Sequence, residues 1–210
     1  MLRLRDGSYR LGSRLVDLYR AYDAGTHITT EFASMCQDHA PHHEETIVLS
    51  VLDGPDALYL ASRPGSAPIG VNYRIGLRLP ASCTATGKAM LSTLSDAEVR
   101  ALYPPGSLLA RTTSSITNLD RLLEELNEAR ARGYALDDEE TSDGMYCVGA
   151  PVFAQGESRS VAGIAFSLVK ARLDEIRAKR LSEEVVSLGR TLSERLGAAS
   201  TQADRYRQRA

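Results

Sequence analysis

The residues best suited to chemistry in this 210-residue chain lie between Leu79 and Leu91. An irregular lead-in there runs into a predicted helix whose first turn holds only small residues: Thr84, Ala85, Thr86 and Gly87. The first N–H groups of a helix have no partner inside it, and the helix dipole is positive at that end. Bare N–H groups at a helix start can therefore receive an anion. Lys88 adds a positive charge nearby. A seat for a small carboxylate is one reading, and an ordinary capped helix with nothing bound is the other.

Other reactive types are scattered. Asp137-Asp138-Glu139-Glu140 follows a short strand pattern. Such a charge run is ordinarily a solvated edge. Asp137, nearest the strand, is the member expected to point inward. It could hydrogen-bond a hydroxyl, keto or protonated group, or act as a general acid or base, although spacing ties no histidine or nucleophile to it. Cys83 and Cys147 are candidate nucleophiles, set against the commoner role of inert packing. His39, His42 and His43 with Glu44 and Glu45 could hold a metal, but Pro41 breaks any shared helical face, and a polar loop reads as well. Gly87-Lys88 looks like the end of a phosphate-binding loop. That reading fails because Ser82 stands for the first glycine and Ala89 for the hydroxyl residue. Arg74 and Arg78 pair either an anion or the acidic run.

These residues need elements to place them. Leu2 to Leu11 carries Asp6-Gly7, a hairpin turn signal, and reads as half of a hairpin without its partner strand. Leu11, Leu15, Leu18 and Tyr22 have helical spacing, and Gly25 ends that helix. Ile28, Phe32, Met35 and Cys36 mark a second helix, ended by Pro41. Residues 46–52 and 57–61 flank Asp53-Gly54 as a hairpin, and Ile69 to Ile75 alternates as a third strand. The small-residue helix covers about Thr84 to Leu94. Ser95 with Glu98 is a capping box for the next helix. Leu119, Leu122, Leu123, Leu126 and Ala129 line a helix closed by Gly133.

Strands are predicted at 134–136, 146–153 and 160–168, and a last helix at 172–196. On the 160–168 strand one face is Ala162, Ile164, Phe166 and Leu168. The other is Val161, Gly163, Ala165 and Ser167. Cys147 and Gly149 likewise share a small face. Two small faces could floor a cavity walled by the helix at Ala85, or simply admit a closely packed helix. Strand pairs joined by tight turns imply an antiparallel sheet with helices packed on it, an α+β domain.

The bulk numbers narrow the classes. With 43% hydrophobic and 25% charged residues, a packed core is expected. A formal net charge of −2 excludes a wholly basic nucleic-acid binder. No apolar run is long enough to span a bilayer, and the first residues do not form a secretory signal. Three widely spaced cysteines fit a reducing cytoplasm better than a disulfide framework or zinc site. No metal or cofactor is implied.

Tyr9-Arg10-Leu11-Gly12, Val51-Leu52-Asp53-Gly54, Cys83-Thr84-Ala85-Thr86-Gly87-Lys88-Ala89, Arg132-Gly133-Tyr134-Ala135, Asp137-Asp138-Glu139-Glu140 and Cys147-Val148-Gly149-Ala150-Pro151-Val152-Phe153 occur in this order. In this combination the chain resembles the effector-binding domain of isocitrate lyase regulator (IclR) type transcription factors, over about Leu2 to Gly197. The resemblance implies a GAF-like or profilin-like fold that binds a small organic acid, keto or aromatic, and is not an enzyme. By the same resemblance Ala85, Thr86 and Gly87 form the helix start, Asp137 and Cys147 are polar pocket positions, Val71 is an apolar wall, and Ser167 is a pocket hydroxyl. Ala165 stands where some members that bind short keto acids carry a second serine, which leaves room for a larger acid.

The resemblance also implies a homodimer or a dimer of dimers (homotetramer). It implies DNA binding through a winged helix-turn-helix that is nearly absent from these residues. Residues 1–11 are then a remnant of the wing, 12–25 a linker helix, 26–197 the effector domain and 198–210 a polar tail. The expectation is one part of a longer regulator. A small acid–base or thiol hydrolase using Asp137 and Cys147 is the alternative.

Overall fold

The computed structural model describes residues 2–3, 9–10, 27–39, 43–68 and 70–199. The chain pairs Leu2–Arg3 (β1) with Tyr9–Arg10 (β2) in a short antiparallel ladder. The partner strand expected to be missing is therefore supplied by the chain itself; Asp6-Gly7, the predicted turn, lies outside the described residues. The predicted helix at 11–25 lies outside the described residues.

The domain is built on a six-stranded sheet in the order β5-β4-β3-β8-β7-β6, antiparallel throughout. Its strands are Thr46–Asp53 (β3), Asp56–Arg63 (β4), Arg78–Pro80 (β5), Ala135–Asp138 (β6), Met145–Val152 (β7) and Ala162–Val169 (β8). Among the described residues five α-helices accompany it: Ile28–His39 (α1), Ala85–Leu91 (α2), Asp96–Leu102 (α3), Leu119–Arg132 (α4) and Glu175–Arg195 (α5). The α+β expectation holds.

Local chemistry sets the ends of several elements. Ser95 and Glu98 form the expected capping box at α3. Gly133 takes φ 84° and stops α4, so the chain turns straight into β6. The third strand does not fall at Ile69–Ile75. Gly76, at φ 86°, makes a turn there, and backbone bonding to β4 begins with it: Gly76 N–H donates to the Tyr59 carbonyl at 2.8 Å, and Tyr59 N–H to the Leu77 carbonyl at 2.9 Å. Ile69 itself lies outside the described residues. Ala198, expected in a fraying tail, packs on Phe153, and residues 200–210 are outside the description.

The alternation on the strands divides the core in two. Ile47, Leu49, Val148, Val152, Ile164, Phe166 and Leu168 form one face, covered by α1 and α5. Val48, Ala57, Tyr59, Ala165 and Cys147 belong to the other, covered by α2 with α4 behind it. α2 lies close because the strands beneath it are bare. A Cβ at Gly149 would come within 2.8 Å of the Ala85 carbonyl carbon, and one at Gly163 within 2.7 Å of the Thr86 carbonyl oxygen. The small faces thus admit a packed helix at one end of these strands.

Candidate functional site

At the other end the same face turns polar. Strand register sets Asp137 opposite Cys147, Cys147 opposite Ser167, and Ser167 opposite Thr46. Directly opposed residues share a face, so these four make one polar row across β6, β7, β8 and β3. All are buried, at 2%, 3%, 1% and 2% exposure. Ala135, Gly149, Ala165 and Val48 form the next row. Small side chains there leave the start of α2 next to the polar row.

Buried polar groups need partners, and the partners here are mostly neutral. Asp137 Oδ1 accepts from the backbone N–H groups of Glu140 and Thr141 at 2.9 and 3.0 Å. Burial nevertheless raises the Asp137 carboxyl above its ordinary pKa, against the pull of those bonds and of Lys88. Burial also pushes the Cys147 thiol far up, with the Asp137 charge adding to the effect.

The start of α2 sits as expected, but its charge is not free. Thr84 caps the helix, its hydroxyl accepting from Gly87 N–H at 3.0 Å. Among the described residues the N–H groups of Ala85 and Thr86 have no hydrogen-bond partner. Thr86 N lies 3.0 Å from where a Cβ on Gly149 would stand, so it faces the small row. The space a side chain would need at Gly87 is taken by Ala81, whose carbonyl oxygen would be 2.3 Å away. Lys88 is buried and paired with Glu140, with Glu125 at 3.9 Å. Burial raises Glu140 to about 7 in spite of Lys88. The helix is also only seven residues long. Its positive end is thus weaker than the sequence suggests, and neutral donors carry more of the site.

Those donors include residues that sequence reasoning misses. The Tyr73 hydroxyl is 3.1 Å from Ser167 Oγ and 3.8 Å from Cys147 Sγ. The Tyr73 ring stacks on Tyr59, centroids 4.8 Å apart. Ser50 donates to Thr86 Oγ1 at 2.8 Å, and burial pushes the Tyr59 hydroxyl far above its ordinary pKa, so it stays neutral beside them. Thr46 donates to the Val71 carbonyl at 2.6 Å, which fixes half-buried Val71 beside the row. The hydroxyls of Thr46 and Ser50, on the same face of β3 as Val48, are the one available signal for that strand. Nothing local marks Tyr59 or Tyr73.

The weaker candidates have other roles. His43 stacks on Phe166 at 4.7 Å and bonds Glu45 at 3.1 Å. Among the described residues no group of three His, Cys, Asp or Glu could hold a metal; His42 lies outside them. Arg78 pairs with Asp53 of the hairpin rather than with the acidic run. Cys83 donates to the Leu109 carbonyl at 3.4 Å.

Comparison with known proteins places this geometry. The family model of the bacterial transcriptional regulator IclR C-terminal domain matches residues 21–194. The chain belongs to this family. The Escherichia coli regulator XynR is 31% identical over 192 residues, 91% of this chain and 76% of XynR. BhcR of Paracoccus denitrificans is 33% identical over 150 residues, 71% of this chain but only 53% of BhcR. Among solved structures, the Agobacterium tumefaciens repressor BlcR superposes with a TM-score of 0.74 at 34% identity, over 93% of this chain and 77% of that one. The Thermotoga maritima IclR gives 0.79 at 28%, over 94% and 79%. The fold is thus the α+β, GAF-like fold of IclR C-terminal domains.

These IclR relatives are transcriptional regulators, and the domain is not an enzyme. The hydrolase alternative finds no support. A thiolate nucleophile requires a lowered pKa, and Cys147 has the reverse. Among the described residues no helix is long and apolar enough to cross a membrane.

Proposed function

We propose that this domain binds a small organic acid, a keto or aromatic carboxylate, and passes its occupancy to the DNA-binding part of a cytoplasmic IclR-type regulator. The observation that carries this reading is the buried row Asp137–Cys147–Ser167–Thr46 beside the unpartnered N–H groups of Ala85 and Thr86. The carboxylate lies toward those N–H groups and the hydroxyl of Ser167. The keto or hydroxyl end lies toward Asp137 and Cys147, and Val71 is the apolar wall. Ala165 leaves room for a larger acid than a serine there would.

In the whole regulator, residues 1–11 belong to the wing of a winged helix-turn-helix, 12–25 to a linker helix, 26–197 to the effector domain and 198–210 to a tail. The acid favours one arrangement of a homodimer or dimer of dimers over another, which is how binding reaches DNA. Calorimetry of the chain with pyruvate and with benzoate, followed by mass analysis of the acid, tests the reading. Saturable binding with the acid recovered unchanged is expected; turnover, or no binding of either acid, defeats it. Ala165→Ser is expected to shift preference several-fold toward pyruvate, since one added hydroxyl contributes about one hydrogen bond.

A further inference from the structure

The polar row is closed over in this structure, and Tyr73 is what closes it. Its hydroxyl reaches the two middle members of the row, Ser167 at 3.1 Å and Cys147 at 3.8 Å. Both lie under it almost without exposure. A ligand that bonds Ser167 and Cys147 needs the place the phenol holds.

The segment that carries Tyr73 is lightly held. Residues 70–77 belong to no strand, and Asn72, Arg74, Ile75 and Gly76 are exposed. Before the turn at Gly76 the segment is tied by Thr46 to the Val71 carbonyl and by a long 3.4 Å contact from Ser62 to the Tyr73 carbonyl. The ring is held by stacking on Tyr59. Every other group on the row sits on a paired strand: Cys147 and Ser167 are laddered on both sides, Thr46 to Ser167, and Asp137 to Cys147 with a bond to the next turn.

We propose that Tyr73 is a tethered stopper, a side chain that fills the effector's polar seat and that the effector must displace. Its phenol stays protonated, and so remains a neutral occupant, because burial holds its pKa well above the ordinary tyrosine value. An incoming acid exchanges one set of hydrogen bonds for another, and the stopper sets a threshold concentration without touching the fold. The identity of the displacing ligand rests on the acid-binding reading; the stopper's geometry does not.

Two measurements separate these. In the first, the native chain is treated with iodoacetamide and each cysteine is followed by peptide mass mapping. Tyr73→Ala is expected to speed modification of Cys147 by about tenfold, the loss of one covering side chain, with Cys36 and Cys83 unchanged. No change, or equal acceleration of all three, overturns the stopper. In the second, calorimetry with pyruvate and benzoate compares the chain with Tyr73→Phe, which keeps the ring and removes the hydroxyl. Affinity is expected to rise about tenfold, because the competent state no longer competes with an internal bond. Equal or weaker affinity overturns the stopper and makes Tyr73 an ordinary lining or ligand-contacting residue. If neither form binds either acid while Cys147 is selectively unmasked, the stopper stands and the acid reading falls.

Discussion

On one face of the sheet Ile47, Leu49, Ile164, Phe166 and Leu168 press large side chains against α1 and α5. On the other, Thr46, Ser50, Cys147, Gly149, Gly163, Ala165 and Ser167 present hydroxyls, a thiol and bare backbone to α2. The same strands alternate between the two, one residue up and the next down. The first face excludes water by volume. The second keeps its side chains short, so that helix backbone and polar groups come close enough to bond. Bulk packing and polar chemistry are thus separated by the pleat of the strand, not by distance along the chain.

The comparison breaks in opposite ways on the two faces. The largest effect is expected from removing volume on the apolar side. Phe166→Ala should cost about 3–5 kcal/mol in urea unfolding, the usual range for a buried aromatic. A loss below about 1 kcal/mol would show that the face repacks and is not the main store of stability. On the α2 side the damaging change is addition. Gly163→Ala puts a Cβ 2.7 Å from the Thr86 carbonyl oxygen, a backbone atom that cannot turn aside. About 1–3 kcal/mol of destabilisation is expected, the range for overpacking, and wild-type stability would mean that α2 is not seated as described.

The smallest effect is a difference in sign between two buried carboxyls. Glu140, on the α2 side, is raised from 4.5 to about 7, so the folded state holds its proton more tightly than the unfolded chain. Its contribution is fully present below 4.5 and is lost as pH rises through about 7. Glu45 stands at the edge of the apolar face. Burial works to raise it, and hydrogen bonds from His43 and Arg177 override that and bring it to about 2. Its contribution is present above 4.5 and is lost as pH falls through about 2. Urea midpoints against pH should show Glu140→Gln flattening the slope between pH 5 and 7, and Glu45→Gln altering only the acid side. Identical profiles for the two variants would erase the distinction.

Much of this arrangement is written locally. The Ser95–Glu98 box, Gly133 and the alternation from Ala162 to Leu168 each state their structure within a few residues. Asp137, Cys147 and Ser167 can be nominated from the sequence, but their alignment into one row depends on strand register, which no local signal contains. The third strand pattern misleads because Val71, Tyr73 and Ile75 alternate like a strand, while tertiary contacts draw Val71 toward Thr46 and Tyr73 toward Ser167. Lys88 reads as a free cation because its partner, Glu140, is 52 residues away. The small residues of β7 and β8 look ambiguous in sequence because they serve two ends of the same strands. Gly149 and Gly163 admit the backbone of α2, while Cys147 and Ser167 continue the face as the polar row.

The seam between β3 and β8 joins the early part of the domain to the late part, and Thr46 meets Ser167 across it. Contacts so far apart in sequence form late and slowly. During synthesis the β3–β4 hairpin can close early, but its β3 edge waits for β8, which comes much later in the chain. A nascent or truncated chain therefore has no complete polar row to offer. On the acid-binding reading proposed above, a response to the acid therefore also reports that this seam has closed.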